Sequence, residues 1–183
     1  MRVISGKYGG IRLNQVKGDQ TRPTTDKVKE SLFNIVGPYF DGGVFLDLYA
    51  GSGAVGIEAV SRGMEKAVLI DKAYPAIATI KENLTKIHDD QSFKVIKGAA
   101  TNVLSQLATS GEKFDMVFLD PPYKKQQNVA DIEKLLELDL LSADSIVISE
   151  TDNTVDHPDS IGPLKLGQKK NYGLTNVAIY HFE

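Results

Sequence analysis

Between residues 44 and 148 the chain alternates short apolar runs with segments whose apolar residues recur at helical spacing, and that alternation leaves few folds open. Residues 44–48, 67–70, 93–96, 114–119 and 146–148 read as buried strands. The helices between them carry Ile57, Ala59 and Val60 up to Gly63, then Ile77, Ile80, Leu84 and Ile87 behind Pro75. Two more lie near residues 103–107 and over 129–138. Strands separated by helices imply a mostly parallel, doubly wound, Rossmann-like α/β sheet. The tail breaks the pattern: residues 164–166 and 176–182 are strands with only a loop between them, so an antiparallel C-terminal hairpin closes the sheet. Upstream, Val3-Ile4 and residues 11–13 flank Gly6-Lys7-Tyr8-Gly9-Gly10, a small β-hairpin. Thr24-Thr25-Asp26 caps a helix with apolar positions Val28, Leu32, Phe33, Ile35 and Val36, which Gly37-Pro38 ends. Residues 1–183 are expected to form one domain, with 1–22 a basic hairpin appendage.

Composition excludes several chemistries. With 42% hydrophobic and 25% charged residues, the 183-residue chain is neither disordered nor fibrous. Cysteine is absent, which removes disulfides, thiolate metal clusters and a cysteine nucleophile. His88, His157 and His181 lie far apart, so no metal site is expected. Apolar runs are too short to span a bilayer, and the N-terminus lacks a secretory pattern. The expectation is a cytoplasmic protein that is a monomer and does not bind membranes. The net charge of −3 does not point to a polyanion, but its distribution does. Residues 1–18 hold Arg2, Lys7, Arg12 and Lys17 and no acid, Arg22 follows, and Lys165, Lys169 and Lys170 form a second basic group near Tyr172. Such patches attract phosphates, or they simply solubilise exposed strands.

Gly51-Ser52-Gly53-Ala54-Val55-Gly56 leaves the first strand and opens a helix, and Asp71 ends the next strand. Glycines there permit a tight turn and close approach to a ligand, and the later acid suits ribose hydroxyls; a structural turn uses glycines in the same way. Asp47, four positions before Gly51, separates two cofactor classes. A dinucleotide would set its pyrophosphate against the loop and be repelled by this carboxylate. S-adenosylmethionine carries no phosphate and brings an ammonium and a sulfonium, which an acid attracts. The alternative is a buried acid satisfied by loop N–H groups.

Asp120-Pro121-Pro122-Tyr123 follows the apolar run 114–119 and makes a rigid corner. It presents a carboxylate, the Pro121 carbonyl and a flat ring to one small space, and Pro122 has no N–H to compete for that carbonyl. Those groups can hold a planar base by its exocyclic amine, Asp120 and the carbonyl accepting the two N–H bonds and Tyr123 stacking on the ring. A proline turn that merely ends a strand is the alternative reading.

Leu46-Asp47-Leu48-Tyr49-Ala50-Gly51-Ser52-Gly53, Asp71 and Asp120-Pro121-Pro122-Tyr123 together resemble the motifs of class I methyltransferases that modify exocyclic amines. The N-terminal block, with residues 21–30 (TRPTTDKVKE), Phe33-Asn34 and Asn171-Tyr172-Gly173-Leu174-Thr175, resembles the RsmD-type 16S rRNA guanine-N2 methyltransferases across nearly the whole chain. That resemblance implies S-adenosyl-L-methionine as cofactor, held by Asp47, Tyr49, Ala50, Gly51, Ser52, Gly53, Gly56, Asp71, Lys72, Ala99 and Ala100. It implies catalysis by Asp120, Pro121, Pro122 and Tyr123 on the N2 amine of guanine 966 of 16S rRNA, in the small ribosomal subunit or its assembly intermediate. Arg2, Lys7, Tyr8, Arg12, Arg22 and Thr24 become the expected RNA contacts. Arg22 and Thr24 could equally close over the cofactor, and Arg22 could be an ion-pair partner. One segment departs from the pattern. Many class I enzymes place an acid for the adenine amine after the third strand, where this chain has Lys97-Gly98-Ala99-Ala100-Thr101-Asn102, leaving backbone groups or Asn102 for that contact. Three other readings stand beside this one: an adenine-N6 methyltransferase, an NAD-dependent oxidoreductase that Asp47 disfavours, and a non-catalytic RNA-binding module on the same fold.

Overall fold

Thr25 starts the first helix, α1 (Asp26–Val36), by accepting the Val28 backbone N–H at 3.2 Å, which satisfies a free donor of the first turn. The computed structural model describes residues 1–18, 24–122 and 127–183. After α1 come β1 (Val44–Asp47), α2 (Ala54–Ser61), β2 (Lys66–Asp71), α3 (Tyr74–Ile87), β3 (Phe93–Lys97) and α4 (Ala100–Ala108). β4 (Phe114–Leu119), α5 (Asn128–Glu137), β5 (Leu141–Asp152), β6 (Ser160–Ile161), β7 (Leu164–Asn171) and β8 (Thr175–Phe182) complete the described elements. The strands form one sheet in the order β3-β2-β1-β4-β5-β8-β7-β6. β1 to β5 pair in parallel, and β6, β7 and β8 pair antiparallel, as the alternation and its break in the tail predict.

Successive strand residues point to opposite faces, so the sheet divides the core in two. One face buries Phe45, Leu69, Phe118 and Ile148 against α1, α2 and α3. The other buries Leu46, Val68, Val117 and Val147 against α4 and α5. Being covered on both faces is why the parallel strands read as nearly continuous apolar runs.

Three elements differ from expectation. β5 runs from Leu141 to Asp152, well beyond residues 146–148, because it pairs with β8 as far as Asp152. Its added residues are mostly polar, with only Leu141 and Ala143 apolar, and form no continuous apolar run. The short β6 pairs only through Ser160 and Ile161. The N-terminal hairpin has a single bridge, Arg2 to Arg12, in place of two regular strands. Its apolar residues turn inward: Val3, Tyr8 and Leu13 are buried in the core with α1 and α2.

A buried charge cluster stitches this segment down. Glu58 on α2 accepts the backbone N–H groups of Ile4 at 2.9 Å and Ser5 at 3.1 Å. It also receives Arg62 Nε at 2.7 Å and lies 3.3 Å from Lys29 Nζ. Lys29 donates to the Arg2 carbonyl at 2.7 Å. Glu58 and Lys29 have no solvent exposure, and burial pushes the Lys29 amine below its ordinary range. Removing one member of such a cluster strands the others without solvent. Glu58→Ala is expected to cost about 3–5 kcal/mol in urea unfolding. A loss under about 1 kcal/mol would show that the cluster does not hold the segment.

Candidate active site

The sheet reverses its winding between β1 and β4, and the open crevice of such a sheet lies at the carboxyl ends of the strands beside that reversal. A cavity of about 500 Å³ lies there, ordinary for a small-molecule site. Its lining brings together the expected Asp47, Tyr49, Ala50, Gly51, Ser52, Asp71, Lys72, Ala99, Ala100, Asp120, Pro121, Pro122 and Thr24. Tyr123 and Arg22 fall outside the described residues.

The glycine turn is built for close approach. Gly53 caps α2 at φ 83°, a conformation that costs a residue with a Cβ far more than glycine. Gly53 and Gly56, however, are not among the residues lining the cavity. A Cβ on Gly56 would lie 2.3 Å from Leu69 Cδ2, so this glycine lets α2 pack against β2. Asp71 Oδ2 accepts the Gly51 N–H at 2.9 Å and its Oδ1 accepts the Ala73 N–H at 2.9 Å. Those bonds fix the carboxylate at the end of β2 with lone pairs to spare. Asn83, fully buried on α3, donates to the carbonyls of Ser52 at 2.9 Å and Asn14 at 3.1 Å. Its Oδ1 accepts the Asn14 N–H at 2.8 Å, which ties the N-terminal segment to the glycine turn.

Acids dominate the electrostatics. Asp47 pairs across from Phe118, and Phe118 from Ile148. With side chains alternating, Asp47, Asp120 and Glu150 occupy the same face near the ends of β1, β4 and β5. Asp47 is 1% exposed, and burial pushes its carboxyl up to about 8 despite the hydrogen bond from the Tyr49 N–H at 3.1 Å. Glu150 is 6% exposed and burial pushes it to about 7, while Thr24 donates to its Oε2 at 3.3 Å. Burial first, then the charges of Glu150 and Asp47, raise Asp120 well above the usual carboxylate range. Lys72 is the one basic side chain among the described lining residues. The set fits a cationic ligand that carries a ribose, because a positive charge beside these buried acids favours their ionised forms. Tyr49 also lines the cavity, its hydroxyl donating to Asp131 at 2.5 Å and accepting from Gln127 at 2.7 Å.

Several residues of the site carry no motif. Met1, Gln15 and Val16 line the cavity, so the N-terminal segment is part of its wall. Glu150 had a legible signal, since it follows an apolar run just as Asp47, Asp71 and Asp120 do. Asn102 does not reach the lining, whereas Gly98, Ala99, Ala100 and Thr101 do. Among the expected RNA contacts, Arg2 and Arg12 are exposed on facing sides of the bridge, and neither side chain has an acidic partner among the described residues. Lys7 is exposed but lies 3.4 Å from Asp89. Tyr8 is corrected: it is buried, its hydroxyl donates to Asp89, and it presents no face on which a base could stack.

The chain matches the family described as conserved hypothetical protein 95 over residues 1–181. YlbH of Bacillus subtilis (strain 168) is 47% identical over 180 residues, covering 98% of each chain. Ribosomal RNA small subunit methyltransferase D of Haemophilus influenzae is 31% identical over 98% of this chain and 93% of its own. Among solved structures, a conserved hypothetical protein of Streptococcus pyogenes superposes with a TM-score of 0.82 at 44% identity, covering 85% of this chain and 96% of that one.

The acids give a pH signature. The folded Asp47 carboxyl, near 8, sits above its unfolded value near 3.8, so its contribution is full below the unfolded value and is lost as pH rises through 8. Without ligand, stability is expected to fall by a few kcal/mol between pH 5 and pH 9 in urea titrations. Asp47→Asn is expected to flatten that slope. An equally steep slope in the variant would place the cause elsewhere.

Proposed function

Because the chain belongs to the family described as conserved hypothetical protein 95, and within it to the RsmD-type methyltransferases, we propose that it uses S-adenosylmethionine to methylate the N2 amine of a guanine in 16S rRNA of the small ribosomal subunit. The observation that carries this reading is the meeting of Asp120 and Pro121 with the acid-rich glycine turn in one cavity. S-adenosylmethionine supplies, when bound, a methyl group already activated by a cationic sulfur. Asp47 is the acid placed to attract the positive end of that molecule, and Asp71, held by Gly51 and Ala73, the acid placed for ribose hydroxyls. Residues 98–101, which line the cavity after β3, are the proposed contacts of the cofactor's adenine.

The exocyclic amine of guanine is a weak nucleophile because its lone pair is delocalised into the ring. The Asp120 carboxylate and the Pro121 carbonyl accept its two N–H bonds and turn the lone pair toward the donor. Alignment of this kind contributes roughly 7–11 kcal/mol in well-oriented reactions. After transfer the nitrogen carries one proton too many, and that proton already lies in a hydrogen bond to Asp120. Burial and neighbouring acids raise the proton affinity of Asp120, which makes it a competent acceptor. The target base must leave its stack to enter, at a cost of a few kcal/mol.

The exposed Arg2 and Arg12, with Lys86 donating to the Arg12 carbonyl at 3.3 Å, form the basic face proposed to meet RNA phosphates, next to Met1 at the cavity.

Asp120→Asn is expected to lower turnover at least about a hundredfold. S-adenosylhomocysteine affinity, measured by calorimetry, should change less than about threefold, a difference under 1 kcal/mol. Mass spectrometry of nucleosides from treated small subunits should reveal N2-methylguanosine; N6-methyladenosine would replace this reading with the adenine one. Arg2→Ala with Arg12→Ala should weaken RNA binding and shrink the slope of log affinity against log salt by about 2. An unchanged slope would remove the arginine pair from the interface.

A further inference from the structure

Thr24 lines the cavity beside Asp120, and its hydroxyl donates to Glu150 Oε2 at 3.3 Å. Burial and the charges of Glu150 and Asp47 raise the proton affinity of Asp120, and the neighbouring Thr24 hydroxyl moderates it. A threonine hydroxyl has one proton and two lone pairs. With that proton engaged by the ionised Glu150 carboxylate, Thr24 offers the cavity only lone pairs. Glu150 is placed to enforce this. It is 6% exposed, and the pairing of Leu119 with Ser149 sets it beside Asp120 on the same face of the sheet. Neither Asp120 nor Glu150 has a basic ion-pair partner among the described residues.

Purines with an exocyclic amine differ at the ring nitrogen next to it. In guanine that nitrogen, N1, carries a proton; in adenine and in 2-aminopurine it carries a lone pair. Thr24 and Asp120 line one cavity, so a base whose amine is held at Asp120 can turn its N1 edge toward Thr24. Resting on the guanine-N2 reading, we infer that Thr24, polarised by Glu150, is the specificity-determining residue, its Oγ1 accepting the N1–H of guanine. A base with an unprotonated N1 would set lone pair against lone pair and leave two buried acceptors unpaired, the kind of mismatch that polar sites reject most strongly. The hydrogen bonds at Asp120 and Pro121 grip any exocyclic amine; the Thr24–Glu150 pair separates one purine from another.

The test uses small subunits assembled from ligated 16S rRNA carrying either guanine or 2-aminopurine at the methylated position. 2-Aminopurine keeps the N2 amine and lacks the N1 proton together with the O6 carbonyl, so the change of the ratio in the Thr24 and Glu150 variants is what isolates the N1 contact. Transfer of labelled methyl from S-adenosylmethionine is measured at pH 8.5, above the value near 7 for Glu150. The wild type should favour guanine in kcat/KM by roughly 5- to 150-fold, the discrimination of one good base contact. Glu150→Gln supplies an amide donor that frees the Thr24 proton, and should narrow that ratio at least about fivefold, the lower limit of one such contact. Thr24→Val should narrow it as well, while Thr24→Ser should keep it, which a purely structural role for the hydroxyl would not require. Equal use of both bases by the wild type, or a ratio unmoved in both Glu150→Gln and Thr24→Val, would overturn the inference while leaving guanine-N2 methylation intact. Absence of any methyl on guanine N2 with the wild type would overturn the guanine reading, and this inference with it.

Discussion

Parallel pairing of β1 with β4 and of β4 with β5 sets Asp47, Asp120 and Glu150 along one face of the sheet, at the edge where the winding reverses. Everything proposed for the site follows from that register. A shift of one residue in any of the three strands would turn its acid to the opposite face, into the apolar layer under α4 and α5. The register is secured by burial on both faces, because Phe118 and Leu119 must go to different cores. Three acids held together out of water lower the stability of the ligand-free protein, and their raised proton affinities express that cost. The same arrangement receives positive charge and amine protons without rearranging, the sense in which a strained site is preorganised for its work.

The N-terminal segment has two roles that its basic composition conceals. Its inner side is core: Val3 and Leu13 are buried, and Glu58 accepts the backbone of Ile4 and Ser5. Its outer side keeps Arg2 and Arg12 exposed. Between the two, Met1, Gln15 and Val16 form cavity wall, and Asn83 links Asn14 to the glycine turn through Ser52. One short stretch therefore joins the surface proposed to meet RNA to the turn proposed to meet the cofactor. The rigidity of that link comes from a charge cluster with no access to solvent, where a broken partner is far more costly than at the surface.

Sequence alone determined the α/β class, the mostly parallel sheet with its antiparallel close, and the two motifs that line the cavity. Periodicity and turn chemistry are local properties that survive without a structure, so α3 and β4 were legible almost to the residue. Tertiary structure decided what no local pattern encodes. Tyr8 looked like an exposed aromatic in a basic hairpin, yet it is buried against Asp89, because its neighbours Val3 and Leu13 draw the segment into the core. Gly56 belongs to the fingerprint, yet it serves the packing of α2 on Leu69 and stands clear of the cavity. Lys29 carries no local sign of burial, yet it is buried with Glu58, a residue 29 positions away in the chain. Glu150 follows an apolar strand as the other site acids do, but only strand register sets it beside Asp120. Partners brought together by strand order and helix packing are distant in sequence, and the free energy of pairing or burying them exists only once the sheet has formed.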